Sequence, residues 1–339
     1  MKKRLFFLEW IVVLLVGSLT GCGFVRNSDG KNVEIINVSY DPTRELYEDY
    51  NKAFAEHWKK KTGENVDVIQ SHGGSGKQAL EVANGLEADV VTLALEYDID
   101  SLVDAGLMED GWIDEFDKES APYTSTIVFL VRKGNPKNIK DWDDLVKEGV
   151  GVITPNPKTS GGARWNYMAA WAFAENRFNG DENQMKDFIK KLYQNVLVLD
   201  SGARGATTSF VENQQGDVLI AWENEAYLSQ RDYPGEYEIV TPSISILAQP
   251  SVAVVDSVVD DKGNRAVATE YLNYLYSDTA QRIAGESYYR PSNEKILNEF
   301  KDVFELNVNL VNIKDFGGWD KVQQKHFSDG GIFDEIYEK

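Results

Sequence analysis

Three times in this chain of 339 residues a short apolar run ends in a glycine- and serine-rich loop, and a helical pattern begins at once. The loops span 70–77, 154–164 and 199–205, and a glycine-poor version lies at 40–43. Strand, loop and helix repeated in that order fit parallel sheets covered by helices on both faces, because parallel strands need a crossover element between them. The helical patterns are amphipathic: Leu46, Tyr50, Phe54 and Trp58 recur every four residues after Asp41-Pro42, a helix-starting pair. Ser75 and Gln78 have capping-box spacing at the start of the next helix. The length suits two such sheets. No Gly/Ser linker separates them, so extended strands near 124–132 and 245–255 are expected to join two lobes.

The same pattern points to a ligand class. In open α/β sheets ligands bind beyond the carboxyl ends of the strands. Helix N-termini there present N–H groups without intrahelical acceptors, together with the positive end of the helix dipole. Several such ends converging make an anion site that needs no cationic side chain. The net charge of −20 argues against a nucleic-acid face, which requires clustered Lys and Arg. It does not exclude a small anion, since salt screens long-range fields beyond about 8 Å and short hydrogen bonds dominate inside a cleft.

Lys2, Lys3 and Arg4 precede an apolar stretch at 5–16, broken only by Glu9. Residues 1–21 read as a secretory leader, too short in its apolar part for a membrane span of ~20 residues. Cys22 is the one cysteine, so no disulfide within the chain and no cysteine zinc site are expected. His57, His72 and His326 lack metal-ligand spacing, and neither metal nor cofactor is expected. Leu19-Thr20-Gly21-Cys22 resembles the lipobox of bacterial lipoproteins. That resemblance implies cleavage before Cys22 and lipid attachment to its sulfur. The chain would then sit on the outer face of the cytoplasmic membrane or in the periplasm, with 22–32 as a tether.

Longer motifs carry a second resemblance. They are Val38-Ser39-Tyr40-Asp41-Pro42-Thr43-Arg44-Glu45, the stretch from Gln70 through His72-Gly73-Gly74-Ser75 to Gln78, and the stretch from Thr154 through Ser160-Gly161-Gly162 to Trp165. Leu199-Asp200-Ser201-Gly202-Ala203-Arg204-Gly205 and Ala221-Trp222-Glu223-Asn224-Glu225 complete the set. In these residues the chain resembles the bacterial sulfate-binding proteins of ABC importers. The resemblance implies a two-lobed type II periplasmic-binding-protein fold, each lobe a mostly parallel sheet flanked by helices. It places 33–123 and 250–339 in lobe I and 124–249 in lobe II. It implies a sulfate site made by Ser75 from lobe I and by Ser160, Gly161, Gly162, Ala203 and Trp222 from lobe II. Most donors would be backbone N–H groups, with the Ser160 hydroxyl and the Trp222 indole as side-chain donors. Asp41 and Arg204 would pair or brace the site. The partners implied are sulfate or thiosulfate and the transmembrane subunits of an ABC permease, with the chain acting as a monomer and catalysing nothing.

Competing readings fail on pattern. Gly73-Gly74-Ser75-Gly76-Lys77 suggests a P-loop, but Ser71 stands where glycine is required and Gln78 where Ser or Thr is required. A secreted serine hydrolase would use Ser75 or Ser160 with His72 or His57, yet neither serine lies in GxSxG. Asp110, Asp114 and Asp117 lack the glycine and terminal glutamate of a calcium loop.

Overall fold

The computed structural model describes residues 32–337. The leader, Cys22 and the expected tether up to residue 31 lie outside the described residues, while Asn32 already belongs to the first strand. Nine strands build two main sheets. In chain order they are β1 (Asn32–Tyr40), β2 (Asn65–Gly73), β3 (Val90–Leu93), β4 (Ile127–Arg132) and β5 (Val152–Pro155). β6 (Val196–Asp200), β7 (Val218–Trp222), β8 (Tyr237–Val240) and β9 (Ser251–Val254) follow. The first sheet has the order β9-β3-β1-β2 and the second β6-β5-β7-β4-β8. β1, β2 and β3 run parallel, as do β5, β6 and β7. The antiparallel members are β9 in the first sheet and β4 in the second. These are the strands by which the chain passes between the sheets.

The two passages run side by side. Ser125 and Ala248 exchange backbone hydrogen bonds of 2.9 Å, and the Thr126 hydroxyl donates to Ser245 at 2.8 Å. Both serines and Thr126 are fully buried. The side chains of Thr126 and Ser245 are tolerated there because they bond one another across the passage.

Six helices position the strand ends and loops that matter: α1 (Arg44–Thr62), α2 (Ser75–Ala83), α3 (Glu96–Asp104), α4 (Gly161–Arg177), α5 (Glu182–Gln194) and α6 (Ala203–Val211). α1 buries Leu46, Tyr50, Phe54 and Trp58, as their spacing predicts. α4 is buried around its whole circumference over residues 161–174, which marks a central helix rather than a surface one.

The tail explains that burial. The resemblance carried 250–339 with lobe I, and β9 does pair with β3. Later, however, Asn309–Val311 pairs with Ile244–Ile246 beside the second sheet. Trp319 then packs edge-on against Trp165 at 4.6 Å, Phe327 against Tyr167 at 5.0 Å, and Phe333 against Tyr193 at 5.1 Å. The aromatic face of α4 and α5 is what draws the tail to this side.

Two capping expectations are corrected. Asp41 does not cap α1; a 3₁₀ turn over Asp41–Thr43 intervenes, and the Asp41 carboxylate pairs with Arg44 at 3.0 Å. Ser75 is the first residue inside α2, with Gly74 at the cap position, so no capping box forms. Its hydroxyl is used elsewhere.

Candidate functional site

Register brings the loops together. Tyr40 pairs with Gly73 at the ends of β1 and β2, so the Asp41 turn lies beside Gly73-Gly74. Pro155 pairs with Asp200, so the loop at 156–160 lies beside Ser201-Gly202. Three helices of nine, seventeen and nine residues therefore begin around one point: α2 at Ser75, α4 at Gly161 and α6 at Ala203. Their first N–H groups have no acceptor within their own helices.

Residues of both lobes enclose a small cavity there, about 10 Å³ counted over the positions a water centre can take. Ser75, Ser160, Gly162, Ala203 and Asp41 all line it, with Tyr40, Pro42, Gly73 and Gly74. This is room for a compact group only. Beside it, and sharing Asp41, Gly73 and Gly74, a wider groove of about 780 Å³ runs past Leu80, Tyr97 and Lys158.

The lobes meet through glycines. A Cβ on Gly161 would stand 2.9 Å from Ser75 Cβ and 3.0 Å from Asp98 Oδ2. One on Gly74 would stand 3.0 Å from the Thr159 carbonyl, and one on Gly202 2.8 Å from Asp41 Oδ2. Gly74 and Gly202 have ordinary extended backbones, so it is the opposite lobe, not the local conformation, that demands glycine. Trp165 of α4 adds a direct bond, its indole donating to the Ala94 carbonyl at 2.8 Å.

The two serines differ. The Ser75 hydroxyl donates to Asp98 and accepts from the Ala94 N–H at 3.0 Å. Only its backbone N–H faces the cavity unspent. The Ser160 hydroxyl caps α4 by accepting from the Ala163 N–H at 3.3 Å, which leaves its own proton available. The Trp222 indole does not line the cavity. It lies directly behind, donating to the Gly162 carbonyl at 3.1 Å, and must share or release that bond to reach a ligand.

Apart from Asp41, charged residues stand around the donors rather than among them. Arg204 forks onto Glu45 of α1 and also reaches Glu225, each at 3.0 Å, and so joins the lobes; its partner is not Asp41. Burial works against the Arg204 charge, but Glu225 and Glu45 more than reverse this and raise its pKa. Asp98 is buried, and burial pushes its carboxyl above the usual range while Arg164 and Ser75 pull it back. The Arg164 guanidinium approaches Asp98 across the lobes at 3.7 Å. Asp98, Arg164 and Glu45 acquire roles that sequence reasoning missed. Asp98 lies 23 positions from Ser75 on a different helix, and no local spacing announces the pair.

Hydrolytic chemistry has no footing here. The Ser75 hydroxyl is bonded to a carboxylate and not to a histidine. The His72 ring faces the Tyr40 carbonyl at 3.5 Å, and His57 pairs with Glu270. Among the described residues, no cluster of metal-ligating side chains occurs, and no helix is long and apolar enough to cross a membrane.

Known proteins resemble this chain. Residues 38–290 match the family described as bacterial extracellular solute-binding protein. The sulfate-binding protein of Escherichia coli K12 is 58% identical over 307 residues, covering 90% of this chain and 93% of its own length. The thiosulfate-binding protein of Pseudomonas aeruginosa PAO1 is 51% identical over 306 residues, with 89% and 92% covered. Among solved structures, the sulfate-binding protein SubI from Mycobacterium tuberculosis H37Rv superposes with a TM-score of 0.79 at 34% identity, covering 87% of this chain and all of its own. The α/β architecture is thus that of the periplasmic binding proteins, and the chain belongs to the bacterial extracellular solute-binding proteins.

Proposed function

We propose that this chain captures sulfate between its lobes and hands it to an ABC permease. The observation that carries the reading is the small cavity walled by helix N-termini from both sheets. Ser75, Gly161, Gly162 and Ala203 would offer backbone N–H groups, and Ser160 its hydroxyl. Trp222 would join them by turning its indole from the Gly162 carbonyl. Arg204 would brace the lobes through Glu45, and Asp41 would hold its turn against Arg44. Hydrogen bonds to a charged group contribute roughly 1.5–3 kcal/mol each, so six or seven would support micromolar or tighter binding after ordering costs.

Donors alone also select. Sulfate is a full dianion near neutral pH and requires only donors. Phosphate keeps a proton there, and a buried proton without an acceptor costs about 1–3 kcal/mol. Asp41 is the one carboxylate residue lining the cavity; Arg44 engages its Oδ1 and its Oδ2 lies against Gly202, so rejection of phosphate requires that neither oxygen reach the ligand. Thiosulfate needs only donors too, and the identity to a thiosulfate-binding protein makes it the second reading.

The lobes would be 33–123 with 250–308, and 124–249 joined by the tail from 309. The leader would be removed before Cys22 and the cysteine lipidated, leaving a monomer tethered outside the cytoplasmic membrane. Mass spectrometry of the membrane-bound form, with Cys22→Ala released to the medium, would check the tether.

Calorimetric titration of the soluble chain from Gly23, dialysed free of anions, tests the ligand. Tight one-site sulfate binding with phosphate silent is expected. Tighter thiosulfate binding would rename the substrate, and silence towards all three anions would overturn the reading.

A further inference from the structure

Loop 156–160 precedes α4 and ends in the Ser160 cap. Some of its hydrogen bonds are internal: the N–H groups of Thr159 and Ser160 reach the Asn156 carbonyl, and the Lys158 N–H reaches Asn156 Oδ1. Others join it to the neighbouring anion loop, as Thr159 Oγ1 does with the Ser201 carbonyl at 3.0 Å, or to α4, as Arg164 does with the Pro157 carbonyl at 3.0 Å. All these partners belong to the site itself or to its helix.

Lys158 is different. Its ammonium reaches the carbonyls of Phe327 at 3.0 Å and Ser328 at 3.3 Å, and the Asp334 carboxylate at 2.9 Å. Three donors meet three acceptors, which satisfies an ammonium completely. The two carbonyls end the single π-helical turn Gln323–Phe327, where a cation is favoured, and Asp334 lies in the first turn of the last helix, Ile332–Tyr337. The side chain is only 27% exposed, so water competes weakly. The tail it grips is fixed independently on α4 and α5, by Tyr167 on His326 at 3.0 Å and by Glu182 on Lys325 at 2.7 Å.

We propose that Lys158 is a positioning residue for anion binding: it ties the second-lobe loop to the C-terminal tail and so holds the Ser160 hydroxyl and the Gly161 and Gly162 N–H groups in place. Without the tie, the loop is ordered only as the anion binds, and affinity falls by the cost of that ordering. The proposal rests on the sulfate reading above, so its test includes a readout that needs no anion.

Lys158→Met is compared with Lys325→Met, which removes a cation from the outer side of the same tail. Hydrogen–deuterium exchange of residues 156–162 is followed in the unliganded chains, with thermal midpoints and sulfate affinities alongside. Lys158→Met is expected to speed exchange in that loop and weaken sulfate binding about tenfold. Lys325→Met is expected to lower the midpoint comparably and leave affinity within about twofold. Unchanged exchange in Lys158→Met overturns the tie. Faster exchange with parental affinity, or equal weakening by Lys325→Met without faster exchange in the loop, overturns the positioning role. If the parent binds no sulfate, the functional reading fails, while the exchange data still decide whether Lys158 holds the loop.

Discussion

Ser75 and Ser160 stand at the starts of helices on opposite walls of one cavity, yet they do different work. Ser75 is the first residue inside its helix, and its hydroxyl is spent within its own lobe on Asp98 and the Ala94 N–H. Ser160 sits one position earlier in its helix, at the cap, and keeps a free proton. One residue of register thus separates a serine that holds the scaffold from one that can hold a ligand. The charged neighbours follow the same division: the first wall has the buried Asp98 behind it, and the second is braced by Lys158.

The largest expected effect tests the contact between the walls. Gly161→Ala should weaken sulfate binding by roughly 100-fold, because its Cβ presses on Ser75 and Asp98 where neither can yield cheaply. The thermal midpoint should fall as well, since the contact is present in the structure described. Equal affinity in calorimetry would mean that the closed contact is looser than the distances imply.

Next, the serines should separate. Ser160→Ala removes a donor to a charged ligand and a helix cap, and should cost about 10- to 100-fold in affinity. Ser75→Ala should cost less than about fivefold in affinity, yet lower stability by about 1–3 kcal/mol by stranding the Asp98 carboxylate. Parallel calorimetry and denaturant melts would break the comparison if the two variants behaved alike.

Acidification should then move the two walls in opposite directions. Burial, with help from Lys325, lowers His326 to about 3, so the unfolded chain binds the extra proton first as pH falls below its ordinary value near 6.5. The tail should therefore lose about 1 kcal/mol per pH unit between roughly pH 6 and 4. His326→Phe should flatten that slope in pH-dependent melts. Asp98 carries the opposite sign. Its raised folded pKa means the native form takes up the proton first, so its destabilising contribution is relieved as pH falls. A steeper acid loss in the parent than in Asp98→Asn would contradict this.

The smallest effect is expected at Arg204. Its guanidinium is 36% exposed and touches carboxylates rather than the cavity, so Arg204→Met should shift sulfate affinity by less than about threefold. A larger loss would mean that the Glu45 brace between the lobes, or the cationic charge itself, contributes to holding the anion.

What the sequence showed and what it hid follow from the range of the interactions. Strand–loop–helix alternation and the starts of α4 and α6 are local patterns, and they stand where the glycines announce them. The Ser75–Asp98 bond, the docking of Phe327 and Phe333 on α4 and α5, and the turn of the Trp222 indole onto Gly162 are tertiary choices. No spacing encodes them. The missed capping box at Ser75 shows the competition directly: a buried carboxylate outbid the local backbone for the hydroxyl.

The paired passages between the sheets also set an order of assembly. All five strands of the second sheet lie between residues 127 and 240, so that sheet can form from one continuous stretch of chain. The first sheet cannot, because its edge is closed by Ser251 pairing back to Leu93. Its completion waits for a loop of more than a hundred residues to close, the kind of contact that slows folding most. The tail that grips Lys158 arrives later still. The proposed anion site, which draws on both sheets, is therefore expected to be the last part of the molecule to form, and a chain interrupted before its final thirty residues would have both sheets without the brace for their shared loop.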